Sequence, residues 1–296
     1  MIKNFFDEYK IEYDKEVSLK QYNTYHINTT CSYLAFPKDE QELILILQEI
    51  KKNNLKYLVL GNGSNVIFEN DHYNGIIIKL DKLNQITYNG NLVTAGAGCS
   101  LIKLSLDTIN QGLSGLVFAT GIPGSIGAST AMNAGAYNSD MSQVVKSVRV
   151  LDNNLNIQEL TNKSLQYSYR DSYLKRNPQY IVLSTTFELT QGNTEEMQTL
   201  VKERRQKRLA SQPLNYPNAG SVFRNPEGHY AGELIEKCHL KGYNINGAEV
   251  STKHANFIIN KKNATGKDII KLITTIQKEV KKNYDLDLIL EQIIIK

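Results

Sequence analysis

Arg170, Ser221 and Glu291 are the residues of this 296-residue chain whose settings would let a side chain take part in chemistry. Arg170 ends the run Y-S-Y-R, where strand-like alternation separates it from the tyrosines, although a lone arginine is more often a surface residue at a strand end. Glu291 lies in the apolar C-terminal run L-I-L-E-Q-I-I-I. Because burial of an unpaired carboxylate is costly, Glu291 is partnered or functional if the run is buried, and solvent-exposed if the run simply alternates.

Ser221 follows Gly220 in the run N-A-G-S-V-F-R-N-P, and a glycine without a Cβ lets a ligand approach the backbone closely. The run does not contain the G-x-S-x-G pattern, and no base of a catalytic triad is near it in the sequence, which argues against a nucleophilic serine. The alternative is a turn serine that hydrogen-bonds within its own loop.

Residues 121–137, G-I-P-G-S-I-G-A-S-T-A-M-N-A-G-A-Y, contain few large side chains. Such a run buries little apolar surface, so it must let another group approach its backbone. Pro123-Gly124 fixes a turn, and Ser125 stands at the N-cap of a short helix predicted over 126–134. The unpaired N–H groups at a helix start can bind an anion such as a nucleotide diphosphate. The alternative is a helix-packing seam that needs small residues.

A second glycine-containing turn, G-N-G-S-N at residues 61–65, follows a predicted strand. It lacks the third glycine of the dinucleotide-binding fingerprint, and the V-I-F run at 66–68 is typical of a strand where that fingerprint needs a helix, so the Rossmann interpretation fails. Its backbone N–H groups and its Asn and Ser side chains could form an anion-binding nest, with an ordinary β-turn as the alternative. Two such turns in one chain, neither of Rossmann nor of Walker type, are a more specific indication of phosphate binding than either turn is alone.

The composition is that of a soluble globular protein, with 41% hydrophobic and 22% charged residues. The formal net charge of +4 is mild and gives little reason to expect a nucleic-acid partner. Three scattered cysteines and five histidines without ligand spacing predict a reducing compartment, no disulfide framework and no metal site. The N-terminus is acidic where a signal peptide is apolar, and no run is long enough to span a bilayer, so we expect a cytoplasmic protein without a membrane partner.

Hydrophobic periodicity predicts a mixed chain of helices and strands with no internal repeat, after a charged, helix-compatible arm that ends at about Lys20. The predicted helices lie at 39–53, 100–111, 126–134, 194–209, 230–240 and 266–282. The predicted strands lie at 33–36, 57–60, 66–68, 75–80, 85–88, 92–95, 144–151, 155–160, 180–189, 248–251 and 256–260. The strand–helix–strand order over 33–60 favours a parallel pairing of its two strands, and Gly192-Asn193 is the best candidate for a linker.

The predicted helix over 194–209 carries a run of basic residues, namely Lys202, Arg204, Arg205, Lys207 and Arg208. A charge run on a helix is usually a solvated face, and that is the favoured interpretation here. A patch that faces a diphosphate is the alternative.

A series of ordered motifs along nearly the whole chain resembles the UDP-N-acetylenolpyruvoylglucosamine reductase family, flavoenzymes that make UDP-N-acetylmuramate for peptidoglycan. The motifs are Asn23-Thr24, G-N-G-S-N at 61–65, A-G-A-G at 95–98, G-I-P-G-S-I-G-A at 121–128, N-A-G-A at 133–136, Y-R-D-S at 169–172, G-S-V-F-R-N-P at 220–226 and A-E-V-S-T-K-H-A-N-F at 248–257. The chain is similar to the shorter type of the family, which lacks the substrate-covering insertion. It departs from the family after Glu291, where Q-I-I-I-K replaces a valine-arginine segment and a glycine.

The resemblance implies an α+β fold. A two-subdomain FAD-binding unit of the vanillyl-alcohol-oxidase (PCMH) type, residues 1–83 and 84–192, would precede a C-terminal α+β substrate-binding domain, residues 193–296. It also implies FAD as a non-covalent cofactor and NADPH as the co-substrate. The implied cofactor-binding residues lie in the two glycine-containing segments: Gly61, Asn62, Gly63, Ser64, Asn65, Gly121, Pro123, Gly124, Ser125, Gly127, Ala128, Asn133, Ala134 and Gly135.

The family's reaction passes a hydride from flavin N5 to the vinyl carbon of the enolpyruvyl substrate, which leaves an enolate-like carbanion beside a carboxylate. The resemblance implies that Arg170 and Glu291 stabilise this intermediate and that Ser221 donates the proton. A fixed cation suits a developing oxyanion, whereas a second carboxylate repels it, so Glu291 would have to be protonated or to orient hydrogen-bond partners. Arg224 and Asn225 are the implied contacts to the UDP-sugar.

The sequence leaves two other functions open. One is an FAD-dependent oxidase that uses oxygen on an alcohol or a sugar, and the other is a flavin- or nucleotide-binding module without catalysis. An oxidase would consume oxygen with a sugar and ignore NADPH, whereas a binding module would hold FAD that neither nicotinamide reduces. The sequence does not give the oligomeric state.

Overall fold

The computed structural model describes residues 2–296 of the chain. The α-helices are α1 (Ile2–Glu8), α2 (Glu40–Lys52), α3 (Leu101–Asn110), α4 (Ile126–Ala131), α5 (Tyr173–Arg176), α6 (Thr194–Ser211), α7 (Ala231–Lys237) and α8 (Gly266–Tyr284). The strands up to residue 140 are β1 (Tyr13–Ser18), β2 (Thr30–Ala35), β3 (Tyr57–Val59), β4 (Val66–Phe68), β5 (His72–Ile78), β6 (Ile86–Asn89), β7 (Leu92–Gly96), β8 (Leu113–Ser114), β9 (Gly135–Ala136) and β10 (Ser139–Asp140). The later strands are β11 (Val145–Leu151), β12 (Ile157–Thr161), β13 (Ile181–Glu188), β14 (Thr190–Gln191), β15 (Asn244–Ile245), β16 (Ala248–Val250), β17 (Ile258–Asn260) and β18 (Ile293–Ile295).

The chain divides into two compact units, each assembled from separate stretches of sequence. Unit 1 consists of the chain up to Lys15, Tyr33–Gly61 and Gly75–Arg205. Unit 2 consists of Glu16–Ser32, Asn62–Asn74 and Gln206–Lys296. The division into three domains at residues 83 and 192 stays a prediction.

The core of unit 1 is an antiparallel sheet with the strand order β12-β11-β13-β7-β6. Its central strand β13 is buried along most of its length. α4 packs on this strand, where the hydroxyl of Thr130 lies 2.9 Å from that of Thr185. The strands predicted over this region are confirmed with small shifts at their ends, and the apolar residues of β7, β11 and β13 supply the buried part of the sheet, whereas β6 and β12 are largely exposed.

Two predictions about the first part of the chain are wrong. The strands β2 and β3 that flank α2 do not pair with each other, because β5 lies between them in the order β1-β2-β5-β3 and pairs with β3 in parallel. The N-terminal arm is not helical up to Lys20, because α1 ends at Glu8 and β1 follows it. At the start of β1, the ring of Tyr13 lies 4.9 Å from that of Phe6 and 6.0 Å from that of Tyr33, so its side chain packs against α1 and β2.

Unit 2 is built on α8 and on the small antiparallel sheet β15-β16-β17. α8 buries the predicted apolar stripe, which consists of Ile269, Leu272, Ile273, Ile276 and Val280. Thr265 and Asp268 form a capping box at its N-terminus. The strand predicted at 66–68 is confirmed as β4, and it pairs in parallel with β18. The C-terminal strand therefore lies beside the residues that follow the 61–65 turn.

Candidate active site

The small residues around the start of α4 pack against the A-G-A-G segment within unit 1. The N–H groups of Ile126 and Gly127 donate to the carbonyls of Cys99 and Ala97, both over 2.9 Å. A Cβ on Gly127 would lie 2.9 Å from the Cβ of Ala97, so this contact requires glycine. The helix-packing seam is therefore the right interpretation for these two N–H groups. The prediction that they are open to an anion is wrong. α4 also ends earlier than predicted.

Gly61, which begins the other glycine-containing turn, lies against the first turn in the same unit. A Cβ on Gly61 would lie 2.6 Å from the Oγ of Ser125 and 3.0 Å from the Cβ of Ala128. Two segments that are distant in the sequence are therefore adjacent at this point. Neither residues 61–65 nor residues 121–137 contain an acidic side chain. Main-chain N–H groups, hydroxyls and amides are the donors that bind a diphosphate, so the composition of each segment taken by itself fits that part of FAD, apart from the bonded N–H groups of Ile126 and Gly127.

The remainder of the second turn, residues 62–65, belongs to unit 2, where it contacts the Asn23-Thr24 segment. The N–H of Thr24 donates to the carbonyl of Gly63 over 3.1 Å. Gly63 has a φ of +63°, and a Cβ on it would collide with the carbonyl oxygen of Tyr22. The position therefore requires glycine both for its backbone conformation and for this close approach.

Ser221 and Glu291 lie on neighbouring segments of unit 2. The N–H of Glu291 donates to the carbonyl of Val222 over 2.8 Å, and the residues beside this pair form an isolated antiparallel β-bridge. Gly220, just before the serine, has a φ of +75°, and no atom lies within 4 Å of the position that a Cβ would take. The structure thus brings two of the three predicted catalytic residues close in the fold, with open space beside Gly220.

Asn65, the last residue of the 61–65 turn, contacts the same C-terminal segment. Its side-chain Nδ2 donates to the carbonyl of Glu291 over 3.2 Å. Its own carbonyl accepts the N–H of Ile293 over 2.9 Å. One predicted cofactor-binding residue is therefore directly bonded to the backbone of one predicted catalytic residue.

Gln292 is a positioning residue that the sequence did not indicate. Its side chain is buried, with Nε2 donating to the carbonyl of Ala219 over 3.1 Å and to that of Gly220 over 3.3 Å. Its Oε1 accepts a hydrogen bond from the hydroxyl of Tyr25 over 3.0 Å. Gln292 therefore fixes the turn that precedes Ser221. Only the departure from the family pattern after the glutamate marked this position in the sequence.

Arg170 lies at the tip of a tight turn in unit 1, and the prediction of strand-like alternation here is wrong. The N–H groups of Ser168 and Asp171 donate to each other's carbonyls over 3.0 and 3.1 Å. Arg170 has a φ of +55°, a left-handed conformation that a strand excludes. Its Nη2 donates to the carbonyl of Gly135 over 2.6 Å, and its guanidinium carbon lies 5.3 Å from the ring centre of Tyr169. The guanidinium is therefore held beside the N-A-G-A motif.

α5 holds this turn through the residues that follow Arg170. Ser172 is the N-cap of α5, and its Oγ accepts the N–H of Lys175 over 3.1 Å. The Nζ of Lys175 donates to the carbonyl of Arg170 over 2.9 Å, and Asp171 forms an ion pair with Arg176. The Y-R-D-S motif thus keeps Arg170 in its left-handed backbone conformation.

Asn133 connects the Arg170 turn to the hairpin formed by β9 and β10. Its Nδ2 donates to the carbonyl of Ser168 over 2.9 Å and to Oδ2 of Asp140 over 3.2 Å. Its Oδ1 accepts the N–H of Ser142 over 3.0 Å. With 1% of its surface exposed, Asn133 has a structural role that holds the acceptor of the arginine in place. Its role in binding FAD stays a prediction.

The basic run of α6 is mostly a solvated face, as favoured from the sequence. Its exposed members are Lys202, Arg205 and Lys207. Arg204 is different, because its guanidinium carbon lies 4.2 Å from the ring centre of Tyr137, next to the β9–β10 hairpin. Arg208 is half-buried, and its Nε donates to Oε1 of Gln212 over 3.1 Å.

Replacing Arg204 by alanine is expected to lower the free energy of unfolding by about 0.5–1 kcal/mol, because the cation–π contact with Tyr137 is lost. Arg205→Ala removes the same charge from the adjacent exposed position and is expected to change stability by less than about 0.5 kcal/mol. Urea unfolding of the two variants measures the difference. Equal losses in both would show that the stacking contributes nothing.

A cavity of about 370 Å³ opens in unit 2 beside the predicted proton donor. Its lining includes Ser221, Asn225, Tyr230, Lys253, His254 and Asn256. Asn225 is held by the N–H of Ala231, which donates to its Oδ1 over 3.1 Å. Of the two predicted substrate contacts, Asn225 therefore faces this cavity, whereas Arg224 is not among its lining residues.

His254 is a lining residue to which the sequence gave no role. The N–H of Asn256 donates to Nδ1 of His254 over 3.2 Å, which leaves the proton of the neutral ring on Nε2. Burial, together with the nearby charge of Lys241, lowers the pKa of His254 below its ordinary value of 6.5. The ring is therefore neutral at pH 7.

The lowered pKa of His254 predicts a loss of stability in mild acid. As the pH falls below about 6.5, the unfolded chain takes up a proton on His254 before the folded chain does. The stability that the neutral ring contributes is complete above that pH and is lost as the pH falls through the folded-state pKa. Urea unfolding between pH 8 and pH 5 is expected to show a steeper loss for the wild type than for His254→Gln. If the stability of the wild type and of His254→Gln fell equally with pH, the lowered pKa of His254 would be contradicted.

Comparisons with known proteins match nearly the whole length of the chain. Family models match an FAD binding domain over residues 31–161 and the UDP-N-acetylenolpyruvoylglucosamine reductase C-terminal domain over residues 212–295. The UDP-N-acetylenolpyruvoylglucosamine reductase of Clostridium perfringens (strain SM101 / Type A) is 40% identical over 288 residues, 97% of this chain and 94% of that protein. The enzyme of the same name from Lactobacillus acidophilus is 41% identical over 278 residues, 94% of this chain and 93% of that protein.

Solved structures agree with these matches. The UDP-N-acetylenolpyruvylglucosamine reductase of Thermus caldophilus covers 97% of this chain and 99% of its own, with a TM-score of 0.81 and 29% identity. A glucooligosaccharide oxidase from Acremonium strictum covers 98% of this chain and 60% of its own, with a TM-score of 0.52 and 13% identity, and it supports the fold alone. The predicted α+β fold with an FAD-binding unit of the oxidase type is therefore confirmed.

Two further features of residues 2–296 complete the description of the site and its surroundings. No helix in this range has the length and apolar character needed to cross a membrane. The same range contains no cluster of three or more His, Cys, Asp or Glu side chains that could hold a metal ion.

The matches over nearly the whole chain confirm the resemblance that the sequence motifs indicated, and the chain belongs to the UDP-N-acetylenolpyruvoylglucosamine reductase family.

Proposed function

We propose that this chain reduces UDP-N-acetylglucosamine enolpyruvate to UDP-N-acetylmuramate, with NADPH as the electron donor. The observation that carries the proposal is the match to reductases over 97% of the chain, which includes the FAD-binding domain and the C-terminal domain. When bound, FAD supplies a hydride carrier between NADPH and the vinyl carbon of the substrate. The product is a precursor of peptidoglycan, so the reaction serves cell-wall synthesis, and thereby cell shape and division, in the cytoplasm.

FAD binding is assigned to the two glycine-containing segments, and the cofactor is held without a covalent bond. Hydroxyl, amide and backbone donors of each segment, 61–65 and 121–128, would bind its diphosphate, except for the N–H groups of Ile126 and Gly127, which are already bonded. Cys99, the cysteine beside these segments, is buried with its Sγ near the carbonyl of Gln85, and burial raises the pKa of its thiol. A buried thiol of that kind is a poor nucleophile, which disfavours a covalent link to the flavin.

Ser221 is the proposed proton donor to the carbon next to the substrate carboxylate. A serine hydroxyl is a weak acid, so its contribution depends on being held in position. Gln292 supplies that support, because it bonds to the carbonyls of the two residues before Ser221. Open space beside Gly220 gives the substrate access to the serine.

Arg170 and Glu291 are the proposed stabilisers of the enolate-like intermediate. Arg170 presents a guanidinium whose Nη2 is fixed on the carbonyl of Gly135, so its charge needs little rearrangement during the reaction. Glu291 is half-buried, and its backbone is held on both sides by Asn65 and Val222. In this role Glu291 orients hydrogen-bond partners, because a bare carboxylate that faced the developing charge would repel it.

The cavity beside Ser221 is the proposed site for the sugar nucleotide. Lys253 supplies a cation, and Nε2 of neutral His254 supplies a hydrogen-bond donor, both suited to an anionic or carbonyl-bearing substrate. Asn225 adds an amide that is already oriented by the start of α7. Arg224 of the same motif is proposed as a substrate contact outside the lining of this cavity, and its backbone N–H donates to the carbonyl of Ile289 over 2.9 Å.

Anaerobic stopped-flow absorbance tests the proposal directly. NADPH is expected to bleach the flavin band of the purified protein, and UDP-N-acetylglucosamine enolpyruvate is expected to restore it in a second mixing step. Oxygen consumption with a sugar and no response to NADPH would identify an oxidase instead. A flavin band that neither NADPH nor NADH bleaches would identify a binding module, and a colourless protein that does not take up FAD would end the proposal.

A further inference from the structure

Lys79 is the one lysine or arginine in the described range 2–296 whose side chain is buried. It directly follows β5, and 4% of its surface is exposed. Its backbone is anchored, because its N–H donates to the carbonyl of Ala35 over 2.9 Å. Burial of an ammonium group is costly unless partners compensate for the lost water, so the partners of a buried lysine require an explanation.

The side chain of Lys79 ends on the first residue of the 61–65 turn. Its Nζ donates to the carbonyl of Gly61 over 2.6 Å and lies 3.3 Å from Oδ1 of Asp81. The parallel pairing of β3 and β5 sets this register, because it extends to a bond from the N–H of Leu60 to the carbonyl of Ile78. The contact is therefore built into the sheet.

Gly61 is also the residue that lies against the other glycine-containing turn. A Cβ on it would come within 2.6 Å of Oγ of Ser125, so the backbone of Gly61 is confined between Lys79 and Ser125. The carboxylate of Asp81 is half-exposed, so water weakens its attraction to the buried ammonium group of Lys79. The ammonium group of Lys79 therefore places a positive charge directly against the first residue of a turn whose chemistry fits a diphosphate.

We propose that Lys79 is a cofactor-positioning cation, which holds the carbonyl of Gly61 and adds positive potential to the turn that binds the FAD diphosphate. This inference rests on the proposed assignment of the 61–65 and 121–128 turns to FAD. Lys79 acts through Gly61 and through its charge, and no direct contact with the cofactor is needed. A purely structural lysine would stabilise the sheet without changing how FAD binding responds to salt.

The experiment measures release of FAD from the holoprotein on dilution. The release is monitored as the recovery of flavin fluorescence. Lys79→Met, which removes both the charge and the donor, is expected to raise the dissociation constant for FAD about tenfold or more. Lys79→Arg is expected to stay within about threefold of the wild type, and Lys79→Gln, which keeps a donor without the charge, is expected to fall between them. The wild-type dissociation constant is expected to rise more steeply with salt than that of Lys79→Gln, because one charge fewer attracts the diphosphate.

Lys82→Met is the matched control, because Lys82 is a partly exposed neighbour that pairs with Glu12 and its loss changes the net charge equally. Equal FAD release from Lys79→Met, Lys79→Gln and Lys82→Met would overturn the inference. Gly61→Ala separates this failure from that of the proposed function, because its Cβ would displace the turn from Ser125. If Gly61→Ala releases FAD and Lys79→Met does not, only the role of Lys79 is wrong. If a folded Gly61→Ala variant also retains FAD with wild-type affinity, the assignment of the turn is wrong.

Discussion

Ser221→Ala is expected to leave reduction of the flavin by NADPH near the wild-type rate and to slow product formation by about 10²–10⁴-fold, the usual contribution of a general acid. The split arises because NADPH oxidation needs no proton from the serine, whereas the carbanion left after hydride transfer needs one. The two rates are separable by double-mixing stopped flow, first with NADPH and then with the enolpyruvyl substrate. The flavin content of the variant is expected to equal that of the wild type.

Ser211→Ala controls for the loss of a serine hydroxyl in the same unit. Ser211 is exposed at the end of α6, where its Oγ donates to the carbonyl of Lys207 over 2.8 Å. Both half-reactions are expected to keep their wild-type rates in this variant. If Ser221→Ala forms product as fast as Ser211→Ala does, another group supplies the proton. Ser221 would then be the turn serine that the sequence offered as the alternative.

Gln292→Ala distinguishes positioning of the serine from proton donation by it, because the hydroxyl remains. The loss of its bonds to Ala219 and Gly220 is expected to slow product formation less than Ser221→Ala does. The carbonyl groups left unpaired also make this variant less stable, by roughly 1–3 kcal/mol. A slow half-reaction with NADPH in Gln292→Ala would instead indicate a wider disruption of unit 2.

Much of the fold follows from local sequence patterns. The apolar stripe of α8 and the strands of the main sheet of unit 1 are confirmed, because a single face or a continuous apolar run decides them. The glycine-containing turns were also identified correctly as places of close approach. Their composition allows little else, and Gly61, Gly63 and Gly127 all lie against other backbone or side-chain atoms.

The errors concern interactions between segments that are far apart in the sequence. The strand β5 separates β2 from β3, which no property of the two strands themselves reveals. The turn at Arg170 depends on α5 and on the carbonyl of Gly135, so alternation in the run before it was a misleading signal. The N–H groups at the start of α4 are occupied by the 97–99 backbone, a contact that local propensity cannot anticipate.

The sequence likewise predicts the candidate catalytic residues but not the residues that hold them in position. Arg170, Ser221 and Glu291 came from motifs, whereas Gln292 and Lys79 are recognisable only from their partners. The hydroxyl of Tyr25 donates to Oε1 of Gln292, and Nζ of Lys79 donates to the carbonyl of Gly61, so each bond joins two separate segments of the chain. A glutamine in an apolar run and a lysine after a strand carry no such information in the sequence.

Arg170→Ala is expected to slow the half-reaction with the enolpyruvyl substrate by about 10²–10³-fold, because a pre-oriented cation no longer faces the developing oxyanion. Flavin reduction by NADPH is expected to change little. Arg170→Lys is expected to recover only part of the rate, since an ammonium group cannot reproduce the planar guanidinium that bonds to Gly135. Double-mixing stopped flow measures both half-reactions in each variant.

The controls for Arg170→Ala must distinguish the loss of the guanidinium charge from a change in the conformation of the turn. Arg205→Ala removes an exposed arginine of the same unit and is expected to leave both half-reactions unchanged. Lys175→Met removes the bond to the carbonyl of Arg170 but keeps the guanidinium, so it is expected to slow the substrate half-reaction less than Arg170→Ala does. Release of FAD from Arg170→Ala, with the substrate half-reaction restored by added FAD, would show that the arginine supports the fold and not the intermediate.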